Sequence, residues 1–485
     1  MKDLFKTVEL PFDEDIYEYI KKKGYRELVV LSKSLDARNA IRGRVPKYVY
    51  RLGPPPLEES FKNLSSKNYQ PIIVGMGPSG LFSALRYLEY GIIPILFEQG
   101  ENIDQRSKDV ALFFKGGVLN ESSNICHGLG GAGLFSDGKL NTRIKSDYLY
   151  YFKKKLVEFG APKDIVCESS PHLGTDRMRK ILGNIYSFLI SKGVVVNLNH
   201  KVEEVLISEK AVIGIVANGK KFYGDSVILA IGQTSSLWDY LFRLNLPFAF
   251  KEFAVGFRVE HSRTLIDGHQ HGKFATKLPP ATYKLTYNNN LAGIYSFCMC
   301  PGGTILNASS QTKRLVINGM SNSKRNGPFS NSGIVRTVKD SELSGDSFKG
   351  LRFVEKIEQH AYLEKNLIPG QKIDDFIEGR TGSIEENSVV TNAVVKDLND
   401  IYPSCITNDL KQGLLNFCRK IKGFSNGQLF APETRTSSTF KINVENQEIK
   451  NLFFIGEGAG RAGGITSSAI SGIEQVNAIL EQEFF

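Results

Sequence analysis

At 485 residues the chain is longer than one hydrophobic core organises, so two or three domains are expected. Hydrophobic residues at 41% and charged residues at 23% are ordinary for a globular protein, and no apolar run reaches the ~18 residues that span a bilayer. The net charge of +10 is spread over dispersed lysines without interleaved aromatics, which reads as a solvated basic surface and makes nucleic acid an unlikely partner.

Met1-Lys2-Asp3-Leu4-Phe5-Lys6 does not lead into the apolar stretch of a secretion signal, and a cytoplasmic location is expected. Residues 1–65 read as a small α+β module: a helix over 16–22, a strand over 27–31, a second helix over 33–41 and a strand over 47–52. Gly53-Pro54-Pro55-Pro56 and the polar run 62–67 read as a linker. Pro71-Ile72-Ile73-Val74 is an apolar run suited to a buried parallel strand. It leads into Gly75-Met76-Gly77-Pro78-Ser79-Gly80 and an amphipathic helix through Tyr90. Gly91 stops that helix, and a second buried strand over 92–97 ends at Glu98. A strand over 194–198 opens a β-rich stretch at 202–207, 211–217 and 221–223, with Asn218-Gly219 as a hairpin turn. Residues 225–230 form another buried strand, ending in Ile231-Gly232-Gln233. A long mixed region from 235 to 425 follows. The pattern then resumes with a buried strand at 452–455, a glycine loop and a helix over 466–481.

The segment 71–98 has the layout of a dinucleotide-binding unit. Gly75 makes the tight turn off the strand, Gly77 lets the backbone approach a pyrophosphate, and Gly80 lets helix pack on sheet. Pro78 and Ser79 open a helix whose free N–H groups favour phosphate charge. Glu98, 23 residues after Gly75, is placed to accept hydrogen bonds from a ribose diol and disfavours a 2′-phosphate. Gly128-x-Gly130-x-x-Gly133 and Gly458-x-Gly460-x-x-Gly463 fit the same bare pattern without the strand, helix, strand and acid around it. FAD rather than NAD is favoured by the late strand ending in Gly456-Glu457, as in flavoproteins of the glutathione-reductase type. There an acid, more often Asp, binds the ribitol or pyrophosphate region. Gly463-Gly464-Ile465 opens the final helix, whose N–H groups are placed to stabilise charge on a reduced flavin. The alternative is a glycine loop that merely turns the chain.

Several longer motifs carry a resemblance: Ser34-Leu35-Asp36-Ala37-Arg38, the Gly75 loop, and Gly130-Gly131-Ala132-Gly133-Leu134-Phe135-Ser136-Asp137-Gly138-Lys139-Leu140. Tyr295-Ser296-Phe297-Cys298-Met299-Cys300-Pro301-Gly302-Gly303, Glu433-Thr434-Arg435-Thr436-Ser437-Ser438 and the run from Gly456 to Gly464 extend it. With these the chain resembles bacterial FAD-dependent dehydrogenases or oxidoreductases, with plant relatives, that share the glutathione-reductase-type FAD fold and mostly lack an assigned reaction. The resemblance implies an α/β fold: a split Rossmann-type FAD-binding domain (66–234 plus 426–485), an inserted α+β substrate or cap domain (235–425), and the N-terminal α+β module. The expected cofactor set adds Gln99, Arg106, Gly130, Gly131, Ala132, Val202 and Gly232 to the residues above; for Arg106 a surface salt bridge is the alternative. Before Gly130 the family pattern has an aromatic and an acid where this chain has His127 and Leu129, so shared active-site chemistry is not implied there.

Candidate chemistry centres on the loop from Gly128 to Lys139. Lys139 is placed to stabilise anionic reduced flavin, Asp137 adds a second titratable group, and His127 is placed to exchange protons with substrate. Arg435, with Thr436 and Ser437, either binds an acidic substrate or braces its loop, and His172 and Asp176 share that ambiguity. The six cysteines are few and scattered, as expected of reduced thiols, and no metal-ligand spacing appears. Cys298 and Cys300 alternate onto one strand face and read first as buried structural residues, second as a redox pair. The leading function is an FAD-dependent oxidoreductase moving a hydride between flavin and a small organic substrate. No second Rossmann unit is visible, so electrons come from the substrate, from transiently bound NAD(P)H or from another redox partner. A tRNA-modifying flavoprotein and an FAD-stabilised non-catalytic binding protein are the alternatives. A flavin halogenase is disfavoured, since Trp238 is the sole tryptophan.

Overall fold

In the computed structural model, which describes residues 5–57, 59–131, 137–443 and 448–485, the apolar run Pro71–Val74 is buried along its whole length. It has a parallel neighbour on each side, Ser226–Leu229 and Ile95–Phe97. Among the described residues Leu452–Phe454 and Val195–Asn197 complete a five-stranded parallel sheet as its outer strands. Both faces are covered, which is why these strands read as continuous apolar runs rather than alternating ones.

On one face the helices Pro78–Glu89 and Ile465–Phe484 pack on the sheet and on each other through Leu81, Leu85, Ile473 and Val476. Gly472 permits their close approach; a Cβ there would lie 2.3 Å from the Ser79 carbonyl oxygen. The other face carries an antiparallel sheet of Val202–Ser208, Ala211–Ala217 and Lys220–Tyr223, with Ile215 packed among Ile72, Val74 and Val227. The Asn218-Gly219 hairpin has positive φ at both residues, as a two-residue turn of this hand requires. The turns that leave the carboxyl ends of the parallel strands converge, and in open α/β sheets that is where ligands bind.

A second layer is built on a seven-stranded mixed sheet with its own core of Phe257, Ile294, Ile334 and Phe430, covered by the helices Lys349–Ala361 and Ser404–Lys420. Its strand Gln428–Glu433 lies past residue 425 in the chain and pairs with both Phe253–Ser262 and Ile368–Lys372.

In the N-terminal module Lys6–Pro11, Lys47–Gly53 and Val29–Asp36 form a three-stranded antiparallel sheet with the helix Ile16–Lys23 against it. The helix expected over 33–41 is not formed. Lys33, Ser34, Leu35 and Asp36 pair instead with Tyr50, Val49, Tyr48 and Lys47, and the Lys33 ammonium sits 4.3 Å from the Tyr48 ring centre. Sheet pairing and this cation–π contact outweigh a weak local helical pattern. The module is stitched to the rest of the chain where Lys33 N donates to the Cys167 carbonyl at 2.7 Å. Among the described residues no helix is long and apolar enough to cross a membrane.

Candidate functional site

The glycines of the first loop divide by what surrounds them. Gly75 has φ +98, and a Cβ would lie 2.4 Å from the Ala230 carbonyl oxygen; at Gly80 it would lie 1.9 Å from the Gly75 carbonyl oxygen. Both positions are closed by packing. At Gly77 a Cβ would meet nothing within 4 Å, because that face opens on a cavity of about 440 Å³. The faces of Gly232, Gly463 and Gly464 are open in the same way. Pro78–Glu89 begins at Gly77, Ile465–Phe484 begins at Gly464, and neither start has a side-chain cap. Two helices therefore turn uncapped N–H groups and positive dipole ends toward one cavity. An elongated ligand with an anionic diphosphate and a second electron-rich end fits that donor set, and FAD has both.

The cavity is lined by Gly75, Gly77, Pro78, Ser79, Glu98, Gln99, Val202 and Gly232. Glu457, Gly463, Gly464, Ile465, His127, Asp137 and Lys139 complete the set of expected residues found there. Gly80, Arg106, Gly130, Gly131 and Gly456 do not line it, and Ala132 lies outside the described residues. Gly131 is needed within its own loop, where a Cβ would lie 2.3 Å from the His127 carbonyl oxygen. At Gly456 it would lie 2.5 Å from Ser79 Oγ. A separate cavity of about 570 Å³ near Leu88, Lys155 and Phe188 contains none of the expected residues.

Glu98 and Arg106 have a role the spacing does not reveal. Glu98 is 2% exposed; its Oε2 accepts from Met76 N at 2.9 Å, and its Oε1 from Gly100 N at 3.0 Å and Arg106 Nη2 at 3.3 Å. Arg106 is 0% exposed and also donates to the Asn124 carbonyl at 3.0 Å. A guanidinium taken wholly out of water requires a carboxylate, and this one takes Glu98. The pair clamps the Gly75 turn to the 122–128 loop, and Arg106 is neither a surface salt bridge nor a wall of the cavity.

Part of the cavity lining is strongly charged. Asp137 accepts from Ser321 Oγ and from Arg325 Nη2 at 2.7 Å, with Lys139 Nζ at 3.2 Å and His172 Nε2 at 3.5 Å. Burial pushes its carboxyl up, but the His172 bond and the Lys139 and Arg325 charges hold it well below the usual carboxylate range. Burial likewise pushes the Lys139 ammonium down, and the neighbouring cysteines and Asp137 more than reverse that. Burial holds His127 at about 4, so its ring is neutral near pH 7 and donates from Nε2 to the Glu121 carbonyl at 2.9 Å. It is available as a base or acceptor, not as an acid. Asp176 accepts from Ser323 N and Oγ at 2.7 and 2.6 Å, and is a brace.

Two buried pairs complete this wall. Arg435 donates to both Glu358 oxygens, at 2.6 and 2.8 Å, so its guanidinium is braced although it still lines the cavity. Arg258 donates to Glu433 through Nε at 2.7 Å and Nη2 at 3.0 Å, and to Asn331 Oδ1 at 2.7 Å. Arg258 escaped the sequence reading. Its signal is a charge in the middle of the apolar run Phe253-Ala254-Val255-Gly256-Phe257-Arg258-Val259, where only a paired guanidinium is tolerated.

Residues 252–436 match the family described as FAD-dependent protein, C-terminal domain-like. A protein of Clostridium beijerinckii described as uncharacterized is 38% identical over 432 residues, 85% of this chain and 81% of its own length. Among solved structures, CtdE in complex with FAD is 13% identical with a TM-score of 0.34, covering 85% of this chain and 84% of that one. The flavin-dependent brominase Bmp2 is 11% identical with a TM-score of 0.39, covering 85% and 79%. These two likenesses are too distant for any argument about reaction. The chain belongs to the same family as the clostridial protein, a family of FAD-dependent flavoproteins, and its cofactor is FAD.

Proposed function

We propose that the chain is an FAD-dependent oxidoreductase that exchanges a hydride with a small organic substrate in the cytosol. In this reading the five-stranded sheet and its helices are a split Rossmann-type FAD-binding domain of the glutathione-reductase type. The observation that carries it is the single cavity onto which two uncapped helix starts and four open glycine faces converge. Bound FAD supplies a two-electron donor or acceptor at its isoalloxazine ring. The N–H groups after Gly77 bind the diphosphate, and those after Gly464 hold negative charge at the other end. Lys139 adds a cation there, fixed by Asp137 at 3.2 Å, and His127, held neutral by burial, is the proposed partner for proton exchange with substrate. NAD(P)H, binding transiently, is the proposed electron source.

Stopped-flow mixing of the yellow protein with NADH, NADPH and candidate substrates tests this. Bleaching of bound flavin at a catalytic rate is expected with at least one of them; a persistently oxidised spectrum with all overturns the reading.

FAD affinity should also depend on pH. Burial pushes Glu457 up to about 7, against a hydrogen bond from Gln233 and the Lys251 charge; Cys126 also faces it. Below that value the carboxyl is neutral and can donate to the cofactor; above it, its charge opposes the diphosphate. Affinity is therefore expected to weaken as pH rises through about 7, and Glu457→Gln to flatten the profile. Flavin fluorescence titrations at about pH 6 and about pH 8 check this, and a wild-type affinity equal at both contradicts it.

A further inference from the structure

The strand Gly293–Cys300 keeps antiparallel register with Phe329–Val338 until Phe297, opposite Gly333, and resumes at Cys300, opposite Asn331. Three steps on one strand face two on the other, so one extra residue is accommodated. Cys298 lies in this bulge with φ +42, a left-handed conformation that side-chain-bearing residues seldom adopt. In a regular strand residues two apart are separated by ~6.6 Å, near the upper limit of Cα spacings that a disulfide bridges. The bulge folds the chain back, the Cys300 thiol donates to the Cys298 carbonyl at 3.5 Å, and the two sulfurs are close enough to shift each other's titration.

Their surroundings are unequal. Cys298 is half-buried and lines the same cavity as Gly77 and Gly464, whereas Cys300 is 0% exposed behind it. Two cations flank the pair: Lys139, whose ammonium donates to the intervening Met299 carbonyl, and Arg258, whose Nη1 lies 3.8 Å from Cys300 Sγ and 3.3 Å from the Cys298 carbonyl. The Cys300 hydrogen bond and these charges hold Cys298 well below the ordinary thiol range, while its bond to Cys298 and burial push Cys300 up. A cavity-lining sulfur in front of a fully buried one is the division of labour of an attacking and a resolving thiol.

We propose that Cys298 and Cys300 are a dithiol–disulfide redox pair that exchanges two electrons with FAD, Cys298 being the attacking sulfur and Cys300 the resolving one. On oxidation the Cys298 thiolate and Cys300 thiol form an S–S bond and release one proton and two electrons. FAD takes up that proton and both electrons to become its reduced anion, so charge and atoms balance without another reactant. The reverse direction reduces the disulfide. The bulge gives the pair its reach, and Lys139 and Arg258 favour the thiolate. This assignment rests on the oxidoreductase reading above.

The test uses the FAD-loaded protein, reduced anaerobically and then reoxidised by air, with each state acid-quenched, unfolded in denaturant and alkylated, and the labels located by mass spectrometry. Cys298 and Cys300 are expected to be labelled after reduction and to lose label together after reoxidation, the peptide being lighter by two hydrogens. Cys405, which is exposed, should label in both states. Reductive titration should take four electrons per FAD in the wild type and two in Cys298→Ser or Cys300→Ser. Labelling of both sulfurs after the flavin has reoxidised, with two electrons per FAD in the wild type, overturns the pair while leaving a working flavoenzyme. A flavin that no physiological donor bleaches sinks the oxidoreductase reading instead. The alkylation experiment needs no variant. In addition, Lys139→Met should move the pH midpoint of Cys298 alkylation upward, and an unmoved midpoint removes Lys139 from the assignment.

Discussion

Gly77→Leu is expected to yield a folded, colourless protein. Gly77 has φ −73 and ψ −177, extended backbone that any residue adopts, and its missing side chain would meet nothing within 4 Å. The fold therefore tolerates the substitution. What the new side chain fills is the space above the first N–H groups of the helix, where the cofactor's diphosphate is expected. FAD affinity should fall at least ~100-fold, about 3 kcal/mol, with the unfolding midpoint of the apoprotein little changed. Gly75→Ala is the contrasting variant, since its Cβ would lie 2.4 Å from the Ala230 carbonyl oxygen at a φ of +98; it should lose stability first. Ultrafiltration of the yellow protein and circular dichroism of the stripped protein separate the two effects. Gly77→Leu that keeps its flavin would move the cofactor elsewhere.

Glu433→Ala is expected to cost ~3–5 kcal/mol of unfolding free energy, because it leaves the wholly buried Arg258 without its carboxylate. The pair bridges neighbouring strands of the seven-stranded sheet directly behind the two cysteines, so the damage should spread into the cavity wall. Replacing both partners by apolar residues of similar size, as in Arg258→Met with Glu433→Leu, should recover much of the loss. Urea denaturation of the apoprotein measures both, and a loss below ~1 kcal/mol for Glu433→Ala would mean the guanidinium finds water or another acceptor.

Local spacing accounts for what was legible in advance. The strand, glycine loop, helix and strand over 71–98 announce themselves within 28 consecutive residues, and the final helix, read over 466–481, forms as Ile465–Phe484. The glycine pattern says where a backbone approaches a ligand, but not which groups compete for Glu98. Met76 N, Gly100 N and Arg106 reach it through a loop whose path no periodicity encodes. The same limit hid the charged wall. Asp137, His172 and the neighbouring Ser321 and Arg325 arrive from three separate segments, and Arg258 meets Glu433 from 175 positions away. In the N-terminal module the short helical pattern over 33–41 loses to long-range pairing with Tyr48 and Tyr50, a competition that window-based reading does not see. The positive φ at Cys298 is likewise a product of strand register, invisible in the motif Cys298-Met299-Cys300.

The parallel sheet draws its strands from residues 71–97, 195–197, 226–229 and 452–454, and the second uncapped helix start is at Gly464. A growing chain on the ribosome thus exposes its first glycine loop hundreds of residues before the opposing half of the cradle emerges. Flavin loading is consequently a late step, and yellow colour in a newly made molecule certifies that both halves have met.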